Sequence, residues 1–255
     1  MSERASDCTE DAFLGGQLKL RQPKSGHRAG HDAILLAAAT SARPGDRVVD
    51  FGAGVGVAGL AVAKRVAEIE IILVEIDSKL ADLARENSLS NGLQARIVVL
   101  DITSGAEDFA VAGLPPDSAD VVLMNPPFND PTRHRASPDK GREVAHMAEA
   151  ATLENWIHAA RRILKSGGVL TLIWRADALA EILAALHRGF GSLRISPVHG
   201  DATAPAIRVL VRAVKGGRAP LALDAGVLLN KAPNIPNPET QDILAGRKML
   251  PWADL

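Results

Sequence analysis

Three glycines at alternate positions, Gly52, Gly54 and Gly56, stand between a short apolar run and a helix-forming one. The run Arg47 to Phe51 reads as a buried strand, and the stretch after Gly56 reads as a helix to about Val66. A glycine loop in that place lets the chain reverse sharply and lets its backbone approach a ligand closely. The strand–helix unit then repeats. Glu70 to Val74 predicts a strand, Ser78 to Asn91 a helix stopped by Gly92, Arg96 to Leu100 a strand, and Asp120 to Met124 a strand closed by Asn125-Pro126-Pro127. Thr152 to Leu164 and Ala178 to Phe190 read as helices, with Val169 to Trp174, Arg194 to Val198, Ile207 to Val214 and Val227 to Leu229 as later strands. Such alternation builds a doubly wound α/β domain around a mostly parallel sheet, here of about seven strands.

Ahead of the loop, Gln17 to Leu20 predicts a short strand, and Asp32 is placed to cap the N-terminus of an apolar helix from Ala33 to Thr40. We therefore expect a flexible N-terminal lead over residues 1–16 and a single domain over 17–232, including that strand–helix addition. Residues 233–255 form a proline-rich tail that packs on the domain or is partly irregular. Pro126 to Met147 is the longest stretch without a predicted element, and loops of that length in compact domains are usually functional or mobile.

Composition narrows the partners. Lys plus Arg number 29 and Asp plus Glu 30, so the net charge of −1 excludes a globally basic coat for nucleic acid while leaving room for a local basic face. Cys8 is the single cysteine, which rules out an internal disulfide and a four-cysteine zinc site and suits a reducing compartment. Apolar runs such as Ala33 to Ala39 fall far short of the roughly 20 residues that span a bilayer, and Met1 to Glu10 does not read as a secretory signal. The expectation is a cytoplasmic protein with no membrane partner; nothing in the chain chooses between monomer and homodimer.

The loop itself limits the ligand. A dinucleotide site would want the third glycine one place later, where Val57 stands. Asp50 at the strand end would repel a pyrophosphate and suits a cationic ligand. Glu75, 21 residues after Gly54, ends the second strand, where a carboxylate accepts bonds from ribose hydroxyls. Asp101 ends the third, where it can accept from an adenine amine. Glycine turns and acidic strand ends also occur without a ligand, but the three together on successive strands favour one.

These residues resemble class I S-adenosylmethionine-dependent methyltransferases, and the resemblance runs from about Gln17 to Val214. It implies a Rossmann-like fold and S-adenosylmethionine as cofactor. Asp50 with Gly52, Gly54 and Gly56 would hold the cofactor's amino-acid part, Glu75 its ribose and Asp101 its adenine amine. Ile76 and Ile102 would wall the adenine ring.

Asn125-Pro126-Pro127-Phe128 follows the fourth strand, at the carboxyl edge where ligands bind in such folds. An exocyclic amine on a purine is planar, its lone pair delocalised into the ring, and it must pyramidalise to attack a methyl group. Two acceptors for its two hydrogens favour that geometry. The Asn125 side-chain oxygen and the Pro126 carbonyl can supply them, the prolines stiffen the loop, and Phe128 can stack on a planar substrate. A stiffened strand end with a core Phe is the bland alternative. The motif resembles that of amino-methyltransferases acting on adenine N6, guanine N2, cytosine N4 or glutamine amide. It selects a planar nitrogen and leaves the polymer open.

Gln22-Pro23-Lys24-Ser25-Gly26-His27-Arg28-Ala29-Gly30-His31-Asp32-Ala33-Ile34-Leu35-Leu36-Ala37 resembles the tRNA-1-valine adenine-37 N6-methyltransferase family. The likeness implies that Arg28 and Asp32 lie near the cofactor's methionine end, that Asn125 borders the cofactor as well as the substrate, and that the substrate is an adenine in tRNA. The family usually has Tyr or Phe where His27 stands and Tyr where Phe128 stands; Phe in the latter place is also typical of ribosomal guanine-N2 methyltransferases. Guanine N2 in ribosomal RNA, a glutamine amide in a protein, and a cofactor-binding subunit without catalysis are the alternatives. No metal is expected, because His27 and His31 lack a third ligand at suitable spacing.

Lys19, Arg21, Lys24 and Arg28 fall in a stretch with no acid, and Arg133, Arg135, Lys140 and Arg142 follow Phe128 closely. Lys24, Arg133, Arg135 and Arg142 are therefore expected at a local phosphate-binding rim, against the alternative of solvated loops. Arg208 and Arg212 share a strand face, which also suits the polar side of an edge strand.

Overall fold

The computed structural model describes residues 8–25, 28–127, 140–232 and 234–253, with only the backbone of 140–149. Phe128, Arg133, Arg135 and His27 lie outside the described residues, as does the side chain of Arg142.

Strand β1 (Cys8–Phe13) pairs antiparallel with β2 (Leu18–Pro23) across a short turn. The lead expected over residues 1–16 is thus part of a hairpin from Cys8 onward. Helix α1 (His31–Ala39) follows, then β3 (Arg47–Phe51), α2 (Val57–Arg65), β4 (Glu70–Glu75), α3 (Ser78–Ser90), β5 (Ala95–Val99), α4 (Ala106–Val111) and β6 (Ala119–Met124). Next come α5 (Lys140–Ile163), β7 (Leu164–Arg175), α6 (Leu179–Leu186), β8 (Phe190–His199) and β9 (Ala206–Lys215). Two-residue strands β10 (Ala222–Leu223) and β11 (Val227–Leu228), the hairpin β12 (Asn230–Ala232) and β13 (Ile235–Pro236), and α7 (Pro238–Leu244) complete the described elements.

The main sheet has the order β10-β8-β9-β7-β6-β3-β4-β5, with β11 also on β8. β5, β4, β3, β6 and β7 run parallel, and β9 is antiparallel to both β7 and β8. The seven long strands are those expected, and β10 and β11 extend one edge. β9 lies inside the sheet, so Arg208 and Arg212 are not the polar face of an edge strand. Because β3 and β6 are neighbours that send their helices to opposite faces, the cleft above their carboxyl ends is where such a sheet binds ligands.

Two apolar layers sandwich the sheet. One packs α1 and α2 with the hairpin residues Leu18 and Leu20 and the tail residues Ile243, Leu250 and Trp252; the other packs α4, α5 and α6 around Phe51, Phe109 and Trp156. Helix α1 starts at His31 with Gly30 at its cap position, not at Asp32, whose carboxylate instead pairs with Arg208 Nε at 3.0 Å. Asp77 caps α3, accepting from the Lys79 amide at 2.8 Å, and Gly92 adopts φ 66° just beyond that helix.

The tail takes the packed alternative. Trp252 is 1 % exposed and its indole N–H donates to the Ala39 carbonyl at 2.9 Å, while the Leu250 amide donates to Ala38 at 3.1 Å. Together they cap the C-terminal end of α1. Trp252→Ala should lower stability by about 3–5 kcal/mol, the usual loss for truncating a buried Trp. Urea unfolding followed by circular dichroism checks it; a midpoint within error of the parent would mean that the tail is not part of the folding unit.

Candidate active site

The end of β3 turns into the glycine loop because each of Gly52, Gly54 and Gly56 takes a left-handed φ, of 66°, 57° and 93°. Ala53 N–H still donates to Val74 O at 3.0 Å, so the loop starts as a continuation of the β3–β4 ladder. At Gly52 a Cβ would lie 2.4 Å from the Trp156 ring of α5. At Gly54 it would meet nothing within 4 Å. The loop is thus pinned against α5 at Gly52 and bare at Gly54.

Two carboxylates stand beneath it. Asp50 is 2 % exposed and accepts from the Gly59 amide at 2.8 Å, which is possible because α2 presses close: a Cβ on Gly59 would fall 2.4 Å from Leu73. Burial pushes the Asp50 carboxyl up to about 7; the Gly59 hydrogen bond opposes this and the nearby Glu75 adds to it. Glu75 is 7 % exposed and bridges two turns, accepting from Gly54 N–H at 2.8 Å and from Asp77 N–H at 2.9 Å. Neither carboxylate has an ion pair among the described residues. Two buried acids without a counter-charge fit a ligand that brings a cation, and the open face of Gly54 leaves room for it.

The other expected residues are spread around this centre. Ile76 is 63 % exposed at the mouth, an apolar surface open to a ligand, whereas Ile102 is packed in the core at 5 %. Asp101 lies two residues past β5 and is exposed; one oxygen holds the Thr103 amide and hydroxyl, both at 2.8 Å. Asn125 follows β6 directly. Its Oδ1 is buried and has no hydrogen-bond partner among the described residues, Pro126 is buried, and Pro127 is exposed. An unsatisfied buried acceptor is costly, and a donor brought by a ligand would relieve it.

Arg28 and Asp32 make structural contacts here. Arg28 donates to Pro23 O at 2.7 Å and to Asp11 Oδ2 at 2.5 Å, and Asp11 also accepts from the buried Gln22 amide at 2.9 Å. Of the expected rim, Arg21 pairs with Glu86 at 2.7 Å, and Lys19 and Lys24 are exposed. Among the described residues no group of three or more His, Cys, Asp or Glu side chains is placed to hold a metal ion, and no helix is long and apolar enough to cross a membrane.

Sequence reading missed Gly59, Trp156 and Asn87. Asn87, 1 % exposed, donates to Val55 O at 3.0 Å and to Arg21 O at 3.1 Å, and accepts from Arg21 N–H at 2.8 Å. It ties the glycine loop to the N-terminal hairpin. Gly59 sits nine residues after Asp50, a spacing that signals close helix packing once a strand–loop–helix unit is recognised. Trp156 carries no such signal.

Residues 29–199 match the methyltransferase small domain family, well over half of the chain, and the chain belongs to that family. It is 28% identical over 215 residues to the tRNA1(Val) (adenine(37)-N6)-methyltransferase of Erwinia tasmaniensis, covering 83% of this chain and 84% of that one. Identity is also 28% to the protein of the same name from Bacteroides thetaiotaomicron, covering 68% and 70%. A solved structure described as a predicted O-methyltransferase from Agrobacterium tumefaciens superposes with a TM-score of 0.71 at 32% identity, over 86% of this chain and 98% of that one. The 16S rRNA N2 G1207 methyltransferase of T. thermophilus, solved with AdoMet and guanosine, shares the fold at a TM-score of 0.54 and 19% identity, over 82% of this chain and 50% of that one. The likeness to class I S-adenosylmethionine-dependent methyltransferases is borne out.

Asp50 releases its proton near pH 3.8 in an ordinary setting but near 7 in the folded chain. The folded state therefore binds the extra proton between those values, and stability falls as pH rises through them. Asp50→Asn keeps an acceptor for Gly59 and removes the buried charge. It should raise the melting temperature by on the order of 5 °C at pH 8 and by clearly less at pH 5. Scanning calorimetry at both values checks it; equal melting at pH 8 would mean that the ionised carboxylate costs nothing.

Proposed function

We propose that this methyltransferase small-domain protein transfers a methyl group from S-adenosylmethionine to the exocyclic N6 of an adenine in the anticodon loop of a tRNA. The buried Oδ1 of Asn125 at the carboxyl end of β6, unpartnered among the described residues, carries the reading.

When bound, the cofactor supplies a methyl group on a positively charged sulfur, so the acceptor needs neither metal nor strong base. Asp50 offers a negative charge to the ammonium end, and ionises more fully when that charge arrives. Glu75 and Asp101 are the acceptors for ribose hydroxyls and the adenine amine, with Ile76 as an apolar wall. Pairing Glu75 with a ribose weakens or shares its present bonds to Gly54 and Asp77, which couples the loop to occupancy.

Asn125 Oδ1 and the Pro126 carbonyl accept the two hydrogens of the substrate amine, which favours a pyramidal nitrogen whose lone pair is no longer delocalised into the ring. The nitrogen bonds the methyl carbon and then loses one of those hydrogens as a proton to water. An alcohol brings only one hydrogen, so a pair of acceptors suits an amine better than the hydroxyl chemistry attributed to the Agrobacterium relative. Phe128 stacks on the base, and Lys24, Arg133, Arg135 and Arg142 meet backbone phosphates. The names of the relatives favour adenine in tRNA, and the ribosomal guanine enzyme remains the nearest alternative. An adenine in a single-stranded loop costs least to splay out.

Asn125→Ala should leave cofactor affinity near that of the parent and slow single-turnover methyl transfer by on the order of a hundredfold, as for one placed polar group in a transition state. The substrate is tested by offering tRNA, an isolated anticodon stem-loop, ribosomal RNA and a release-factor protein, with mass spectrometry of the modified nucleosides. Transfer to protein alone, insensitive to salt, would reject the RNA assignment and leave the amine chemistry standing.

A further inference from the structure

A second cleft of about 320 Å³ opens at the opposite, amino edge of the sheet, where β6 and β7 begin. Arg43, Lys165 and Arg212 line it, with Asp46, Asp120 and the hydroxyl-bearing Ser41. The two acids are already engaged. Asp120 accepts from Lys165 Nζ at 2.6 Å and from the Arg47 amide at 2.9 Å, and Asp46 accepts from the Arg43 amide at 2.8 Å.

The cations are not balanced in the same way. Thr171, Arg212 and Arg194 face one another across β7, β9 and β8 in register, so two guanidinium groups sit on adjacent strands of one face. Arg194 is answered by Asp224 at 2.7 Å and lies over the Trp252 ring at 5.8 Å. Arg212 and Arg43 have no carboxylate partner among the described residues. Desolvation draws the Arg212 guanidinium below its ordinary value, and the charges of Arg194 and Arg43 add to that. Among the described residues its Nε is buried with no acceptor, and the hydroxyl of Ser41, a residue 8 % exposed, is buried and unpaired as well.

The end of α1 does not supply the missing negative charge. Its last carbonyls are taken by Thr40 Oγ1 on Leu36, Arg65 on Ala37, Leu250 on Ala38 and Trp252 on Ala39. Arg212, whose Nε lacks an acceptor, the exposed guanidinium of Arg43 and the unpaired Ser41 hydroxyl thus line one open cleft, and all three are donors. Guanidinium groups bind phosphate oxygens through paired N–H donors, and a hydroxyl adds a third.

We propose that this amino-edge cleft binds a phosphate oxyanion, held by Arg212, Arg43 and the Ser41 hydroxyl. The volume exceeds that of one phosphate group, so the oxyanion can carry a substituent. The shared chemistry admits a free phosphate compound or a backbone phosphate of an RNA whose reacting base lies at the other edge.

The test titrates inorganic phosphate against the full chain at constant ionic strength, with chloride as the balancing ion, and follows the melting temperature. The parent should rise by roughly 3–6 °C at ten times the dissociation constant. Arg212→Gln and Arg43→Gln should lose most of that rise. In chloride alone Arg212→Gln should melt no lower than the parent, because it relieves repulsion; if it fails to fold, Arg43→Gln, at the exposed rim, decides. A parent response equal to that in chloride, or an Arg43→Gln response equal to the parent's, overturns the site. The source is read from tRNA binding against salt. A log–log slope shallower by about 0.7–0.9 in Arg43→Gln assigns the site to a backbone phosphate, and an unchanged slope to a free one. The tRNA arm rests on the substrate proposed above, and the phosphate arm does not.

Discussion

The contact on which the rest depends is the amide of Gly59 resting on the carboxylate of Asp50 at 2.8 Å. It requires helix α2 to lie so close to β3 and β4 that no side chain fits at position 59. That approach sets where the glycine loop emerges, and it keeps Asp50 out of water. A carboxylate held this way spends stability at neutral pH unless a cation reaches it. Binding and folding are therefore opposed at this residue, as happens where a site is shaped for its ligand.

A second lock joins the loop to the N-terminal hairpin. Asn87 on α3 and Asn91 at its C-terminal cap are one helical turn apart, a rise of about 6 Å. Arg21 and Lys19 are two residues apart on β2, a rise of about 6.5 Å. The two spacings match, so each Asn side chain pairs with the backbone of one strand residue, Asn91 with Lys19 at 3.0 and 2.7 Å. The helix thereby serves β2 as a neighbouring strand would. Since Asn87 also bonds Val55 O, any movement of the hairpin is felt in the loop.

Charge is divided between the two edges of the sheet. Asp50, Glu75 and Asp101 stand at the carboxyl edge, while Arg43, Lys165 and Arg212 stand at the amino edge. The near-zero net charge of the chain hides this division.

The order of strands and helices, the glycine turn, the acids at successive strand ends and the Asn-Pro-Pro motif were legible in the sequence, because each follows from local rules: period, turn chemistry, the absence of a proline N–H. Element ends were mostly placed within a few residues, but α5 starts at Lys140, well ahead of the expected Thr152, and the short helices α4 (Ala106–Val111) and α7 (Pro238–Leu244) had no expected counterpart. What tertiary structure alone decided is which polar groups meet. Asp32 reads as a helix cap but pairs with Arg208, 176 residues away. Arg28, expected near the cofactor's methionine end, also bonds Asp11 on the first strand of the hairpin, a contact no local pattern announces. Arg212 reads as an edge residue but lies inside the sheet without a carboxylate. Local sequence records what each segment can form; which charges face each other depends on strand order, and strand order is settled by packing between segments far apart in the chain.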